Sequence, residues 1–312
     1  MQLLALKIDA DTLRGTREGI PRLVEILQQY GAGATFLFSL GPDHTGRALK
    51  RVFRPGFLKK VSRTSVLEHY GLQTLLYGTL LPGPDIGRKA LKEMQATAAA
   101  GFEVGIHCWD HIRWQDGVGQ ANQQWTFAEM DKAKNRFRDV FGVSPRTHGS
   151  AGWQMNVDAL RHLDDLKMDY ASDCRGTHPF LPVVNGELFS CPQFPTTLPT
   201  LDELIGVDQI TKENVAEHLL NITNERREHS QVFTLHAELE GMKFLPQFED
   251  LLKGWIAQGW KLVSVGELAE SVRDDQLPRH QFLQGLIPGR SGTLSLQGPA
   301  FPPTAVAASS TP

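Results

Sequence analysis

The residues with chemical potential fall in five short stretches: "KIDAD" at 7–11, "HCWDH" at 107–111, "SAGW" at 150–153, "SDCRG" at 172–176 and "TLHAE" at 234–238. His107 and His111 stand four apart, which turns them to one side where the chain is helical. Asp9 and Asp11 stand two apart, so on an extended chain their side chains lean the same way. One carboxylate with two imidazoles is a facial set of ligands that leaves positions open for water and substrate. Catalytic Zn, Mn, Co and Fe sites take this form. The other carboxylate is then free to act as a base, and His236, arriving on a different segment, as an acid. Asp173 with Arg175, and Glu238 with Glu240, add ionisable groups beside them.

These groups can meet only if the fold gathers them. Short apolar runs at 2–9, 34–41, 102–107, near 167–173, 231–236 and 260–265 read as strands. Helical spacing occupies 16–31, 87–101, the region near 126–141, that near 213–222, and 246–259. In the first helix Ile20, Leu23, Val24 and Leu27 share a face, and Gly31 suits its end. Near-continuous apolar strands between amphipathic helices predict an α/β fold with a parallel sheet, either a barrel or an open sheet, of about six or seven β–α units. Asp9, His107, Asp173 and His236 each close a strand, and in a parallel sheet all carboxyl ends lie on one face. Each has a plainer role by itself: Asp9 as a helix cap, Asp173 and Arg175 as a surface ion pair. Their gathering at one mouth argues for a site.

The chain has 312 residues, 41% hydrophobic and 21% charged, with a formal net charge of −3. That composition is globular, and nothing in it suggests a partner nucleic acid. The N-terminus is too short and charged for a secretory signal, and no window holds 18 apolar residues. The three cysteines form no CxxC pair, so reduced thiols in a cytoplasmic protein are expected. Residues 42–87 break the β–α rhythm as a long insertion after the second strand. Within it, 47–63 carries seven Lys or Arg and no acidic residue, interleaved with Leu, Phe and Val. The end, 291–312, is rich in Pro, Ser, Thr and Ala without periodicity and is expected to be disordered. "HGSAG" at 148–152 is not the GxSxG elbow of a Ser hydrolase.

The order "KIDAD … HCWDH … SAGW … SDCRG … TLHAE" resembles the NodB-homology polysaccharide deacetylases over about 1–290. "RGTREGIPRLVEIL", "SDCRG" and "HAELEG" are similar to the branch that deformylates a lipid-linked formamidoarabinose. The resemblance implies a distorted (β/α)7 barrel with one divalent metal ion (Zn, Mn or Co) on Asp11, His107 and His111. It makes Asp9 the catalytic base and His236 the general acid. Two departures stand out. Ala10 separates aspartates that are adjacent in most of the family. The arginine that orients the base, two residues before a proline, is missing from "HGSAGW". Arg175, beside Asp173, is expected to supply that charge, in preference to Arg146.

The implied reaction is hydrolysis of a formamide on an undecaprenyl-phosphate-linked sugar, within lipid A modification and resistance to polymyxin and cationic peptides. Asp173 and Arg175 are expected to hold Asp9 and His236 in the required charge states. A backbone N–H near Gly152 and Trp153 is expected to meet the oxyanion. Arg14 and Arg17 are candidates for the substrate phosphate, and Glu238 is placed at the substrate. A lipid-linked substrate implies a peripheral enzyme on the cytoplasmic face of the inner membrane, with 47–63 as its membrane contact. The rivals are a deacetylase of another N-acylated glycan and an inactive carbohydrate-binding barrel. The complete Asp–Asp–His–His–His set disfavours the second.

Overall fold

The computed structural model describes residues 2–48, 73–225, 229–272, 277–290 and 292–301. Within the 47–63 cluster, everything from 49 onward lies outside the described residues, as does 302–312.

Strand β1 (Leu3–Ala10) is buried at every residue after Leu3, which requires cover on both faces. One edge pairs with β8 (Gln231–His236). The other is shared by β9 (Lys261–Val263), opposite Leu3–Ala5, and β2 (Thr35–Ser39), opposite Lys7–Ala10; all are parallel. Beyond β2 the sheet continues through β3 (Glu103–Cys108), β4 (Thr147–His148) and β5 (Tyr170–Ala171).

Two hydrophobic layers show that this sheet curls. Leu4, Leu6, Ile8 and Ala10 face outward, into the core shared with Leu23 and Leu27 of helix α1 (Ile20–Gln29). Helices α2 (Leu91–Ala99), α3 (His111–Gly117), α4 (Gln123–Phe141), α5 (Val157–Asp165), α6 (Val215–Asn224), α7 (Leu245–Ala257) and α8 (Val265–Glu270) follow along the chain. Ala5, on the opposite face of β1, packs instead with Tyr170, Phe194, Val232 and Val263 from other staves, so it points into an interior. Side chains alternate along a strand, so Lys7 and Asp9 follow Ala5 inward. The gap between β5 and β8 is bridged by irregular chain. Phe194 N–H donates to the Ala171 carbonyl (2.7 Å), and Thr197 N–H to that of Val232 (3.0 Å). This is the distorted barrel expected.

Several local expectations need correction. The strand expected near 167–173 is only two residues long. The stretch 87–101 is broken at Ala90 into a short turn of helix, Ile86–Lys89, and α2. A second sheet was not foreseen: β6 (Leu181–Val184), β7 (Glu187–Leu188), β10 (Arg279–Gly285) and β11 (Leu294–Ala300), in the order β11-β10-β6-β7. β11 lies within the tail expected to be disordered. Leu296 stands opposite Leu283, and Leu294 is buried, so two alternating leucines outweigh the Pro- and Ser-rich composition around them. Among the described residues no helix is long and apolar enough to cross a membrane.

Candidate metal centre

At the end of β3 the chain turns at once into α3. Asp110 caps that helix, its Oδ1 accepting from the Arg113 N–H at 3.1 Å. The turn brings His107 and His111 side by side, ring centroids 5.3 Å apart. Asp11, just past β1, meets both: Oδ1 lies 3.2 Å from His107 Nε2, and Oδ2 3.4 Å from His111 Nε2. His107 Nδ1 sits 2.6 Å from the Gly149 carbonyl. A carbonyl can only accept, so Nδ1 carries a proton and Nε2 is the atom turned to Asp11. Burial pulls the His107 pKa down, but Asp9 and Asp11 outweigh it and push it up, so a positive charge, a proton or a metal ion, belongs between Nε2 and the carboxylate. Asp11 Oδ1 is buried without a hydrogen-bond partner. Burial pushes the Asp11 carboxyl up, but the His111 and His107 imidazoles outweigh it and hold it well below the usual carboxylate range. The three residues could therefore hold a metal ion. The residues between the histidines are otherwise engaged. Asp110 Oδ2 meets His44 Nδ1 at 2.6 Å, and the Cys108 thiol is buried beside Ser39, its pKa pushed up by burial.

The group facing Asp9 is neither Arg175 nor Arg146. It is Lys7, fully buried on the inner face of β1, with Nζ 3.5 Å from Asp9 Oδ2 and donating to the Ser172 carbonyl at 3.0 Å. A buried ammonium costs several kcal/mol unless paired, and Asp9 is that pair. Asp9 Oδ1 has no hydrogen-bond partner. The sequence did carry a signal, a lysine inside an apolar strand and in phase with Asp9. Arg146 instead pairs with Asp169 at the exposed surface.

His236 closes β8 directly opposite Asp9 in the ladder, with a buried Nδ1 that has no hydrogen-bond partner. Beneath it Glu240, fully buried, accepts the His236 N–H at 2.8 Å through Oε2. Burial pushes the Glu240 carboxyl up to about 7, from 4.5, with His236 partly opposing the rise. Between those values the native state keeps a proton that the unfolded chain has lost. Stability therefore falls as pH rises through that window, with the full penalty above about 7. Glu240→Gln removes the penalty and is expected to raise stability at pH 8 by up to ~3 kcal/mol, with little change at pH 4.5. Urea unfolding midpoints across that range would check this; parallel curves for the two proteins would refute it.

Glu238 does not reach the substrate side as expected. It is buried, and its Oε1 accepts from the Asp11 N–H (3.1 Å), the Thr12 N–H (2.8 Å) and Thr12 Oγ1 (2.7 Å). It braces the Asp11 loop from the end of β8. Burial and the negative Asp11 push its carboxyl well above the usual range. Gly15 is required against this brace, because a Cβ there would lie 2.0 Å from Glu238 Oε1.

Asp173 also acts at one remove. Its Oδ1 accepts from His148 Nδ1 (2.7 Å) and the Ser150 N–H (2.8 Å), and its Oδ2 from Gln193 Nε2 (3.1 Å). It thus anchors the 148–150 turn, whose Gly149 carbonyl orients His107; neither His148 nor Gln193 stands out in the sequence. Arg175 turns away from Asp9 into a buried cluster. It bonds both Glu203 oxygens (2.6 and 2.8 Å) and the Leu198 carbonyl (3.0 Å), and Arg290 shares Glu203 at 2.6 Å. Trp153 lies under both guanidiniums and is 1% exposed. Its N–H donates to the Ser150 carbonyl, so it is not free for an oxyanion. Gly152, at φ +62°, abuts Gln115. Of the two expected oxyanion donors, the Trp153 N–H is thus engaged within its own turn. Arg14 pairs with Glu18 at 3.3 Å on the half-exposed turn after the Asp11 loop. Arg17, exposed, donates to the Lys89 carbonyl at 3.1 Å.

Residues 3–171 match the polysaccharide deacetylase family. The probable 4-deoxy-4-formamido-L-arabinose-phosphoundecaprenol deformylase ArnD of Shewanella sediminis (strain HAW-EB3) is 37% identical over 294 residues, which is 94% of this chain and 94% of that protein. The protein of the same name from Wigglesworthia glossinidia brevipalpis is 32% identical over 284 residues, 91% of this chain and 98% of that one. A solved Mycobacterium smegmatis structure, assigned to the polysaccharide deacetylases, shares the fold with a TM-score of 0.63 at 16% identity, covering 92% of this chain and 96% of that one. Because the family match spans more than half the chain and both relatives exceed 30% identity across nearly all of it, the chain belongs to the polysaccharide deacetylase family.

Proposed function

We propose that this chain is a metal-dependent amide hydrolase that removes the formyl group from undecaprenyl-phosphate-linked 4-deoxy-4-formamido-L-arabinose, leaving the 4-amino sugar. The chemistry rests on one observation: Asp9 and His236 flank the Asp11–His107–His111 trio from paired positions on adjacent strands. The substrate rests on the names of the two relatives. The aminated sugar would serve lipid A modification and resistance to cationic peptides.

Asp11, His107 and His111 would hold one divalent ion, Zn, Mn or Co. When bound, such an ion supplies Lewis acidity, polarising an amide oxygen and acidifying water. Asp9, held by Lys7 through Oδ2, keeps Oδ1 to take the proton of the attacking water. His236 delivers a proton to the nitrogen as the C–N bond breaks, since an amide anion is too basic to leave unprotonated. The water oxygen ends in formate. Glu238 and Asp173 are positioning residues, the first for the Asp11 loop and the second for His107. We assign Arg14 and Arg17 to the substrate phosphate.

A lipid-linked substrate calls for a peripheral enzyme on the cytoplasmic face of the inner membrane, meeting it through 47–63. The described neighbourhood supports this reading. Arg47 donates to the Gly78 carbonyl at 3.0 Å, beside a turn that exposes Leu80 (82%) and Leu81.

Metal-stripped protein incubated with the lipid-linked formamido sugar should release formate only after a divalent ion is restored. His236→Ala should keep the ion and lose about 10²–10⁴-fold in turnover. Faster release of acetate from the acetamido sugar would replace this reading with a deacetylase.

A further inference from the structure

Three of the eleven histidines meet at a place the proposed reaction does not use. His178 lies past β5, His229 just before β8, and His280 on β10. Ring centroids are 4.9 Å apart for His178 and His280, and 5.0 Å for His178 and His229. His229 precedes the strand that His236 closes, so the cluster sits at the other end of β8, roughly 20 Å from the acid at about 3.3 Å per residue.

The Nε2 atoms of His178 and His280 are 3.2 Å apart. Their partners narrow the form each ring takes. His280 Nδ1 lies 2.8 Å from the Gly298 carbonyl, so Nδ1 carries a proton, and in the neutral ring Nε2 is a lone pair. Gln297 Oε1 accepts the Thr177 N–H at 2.7 Å, which turns the amide nitrogen of Gln297 to His178 Nε2 at 3.1 Å. The Thr177 hydroxyl also donates to Gln297 Oε1 (3.2 Å), leaving its oxygen to accept from His178 Nδ1 at 2.9 Å. With both rings neutral, His178 Nε2 accepts from the Gln297 amide while His280 Nε2 faces the same atom, so the close pair calls for a shared proton or a shared metal ion. Two imidazole nitrogens on a tetrahedral zinc ion, at about 2.0–2.1 Å from it, stand about 3.3 Å apart.

We propose that His178 and His280 form a second divalent transition-metal site, independent of Asp11, His107 and His111, with His229 as a third ligand. The ion takes over the lone pair that the Gln297 amide now meets, and the exposed His229 side chain turns to bring in its ring. An all-imidazole set selects Zn, Ni, Cu or Co over Mg and Ca. The ion would tie the chain after β5 to β10, fastening the small sheet to the barrel.

Wild type, His107→Ala and His280→Ala are each dialysed to equilibrium against micromolar Zn²⁺, and bound metal is counted by atomic emission. The wild type should hold two equivalents and each variant one. Zn²⁺ should raise the melting temperature of His107→Ala but not of the His107→Ala/His280→Ala double variant. His280→Asn replaces alanine if near-ultraviolet circular dichroism shows β10 disturbed. A wild type that saturates at one equivalent overturns the site, as does a His280 variant that keeps two. An NMR titration that finds a shared proton between His178 and His280 in protein saturated with Zn²⁺ overturns it as well.

Discussion

His107→Ala is expected to bind one equivalent of divalent metal fewer than the wild type and to lose formate release to background, more than about 10³-fold. The variant removes a proposed ligand that the Gly149 carbonyl holds ready, its Nε2 3.2 Å from Asp11. His111 and Asp11 alone leave too few donors for an ion that favours three protein ligands at an open catalytic site. The wild type should also melt higher when metal is added, because binding to the native state alone adds about 2.7 kcal/mol at a hundredfold excess over Kd. The part of that gain due to the Asp11 site should vanish in the variant. Metal counting, melting curves and a formate assay on the same samples decide the matter. A variant with full metal content and a tenth of normal turnover would remove His107 from the ligand set.

Lys7→Met should keep the metal yet be less stable by about 3–5 kcal/mol, because it strands the buried Asp9 carboxylate without its counter-charge. Turnover should fall about 10²–10³-fold, since the base loses the group that fixes it. The pairing itself is tested by a double-mutant cycle with Asp9→Asn. In the Lys7→Met background that second change should restore stability, because a neutral amide no longer lacks a partner. In the wild-type background it should destabilise, because it leaves the ammonium alone. Asp9→Asn should by itself cost turnover comparably to loss of a general base. If the two changes add independently, Lys7 is not the partner of Asp9.

The contrast between Lys7 and Arg175 shows what can be read from the chain. Asp9, Asp11, His107 and His236 are legible because each closes or adjoins the end of an apolar strand, and parallel strands put all such ends on one face. The tail is misjudged when composition is weighed above the alternation of Leu294 and Leu296. Arg175 is misassigned when closeness in sequence to Asp173 is taken as direction toward Asp9. Its guanidinium instead finds Glu203, 28 residues further along the chain.

Sequence by itself determined the α/β class, the family, and that Asp9, Asp11, His107, His111 and His236 come together at the mouth of the barrel. Those follow from apolar periodicity and from the order of the strand-end motifs. Tertiary structure alone decided the partners: Lys7 for Asp9, Glu238 for the Asp11 loop, Gly149 for His107, and Arg175 and Arg290 for the buried Trp153. The physical reason is closure of the sheet. Curling sets β1 against the chain at Ser172 on the opposite stave, and contacts across that interior depend on how far the sheet bends, which local spacing does not encode.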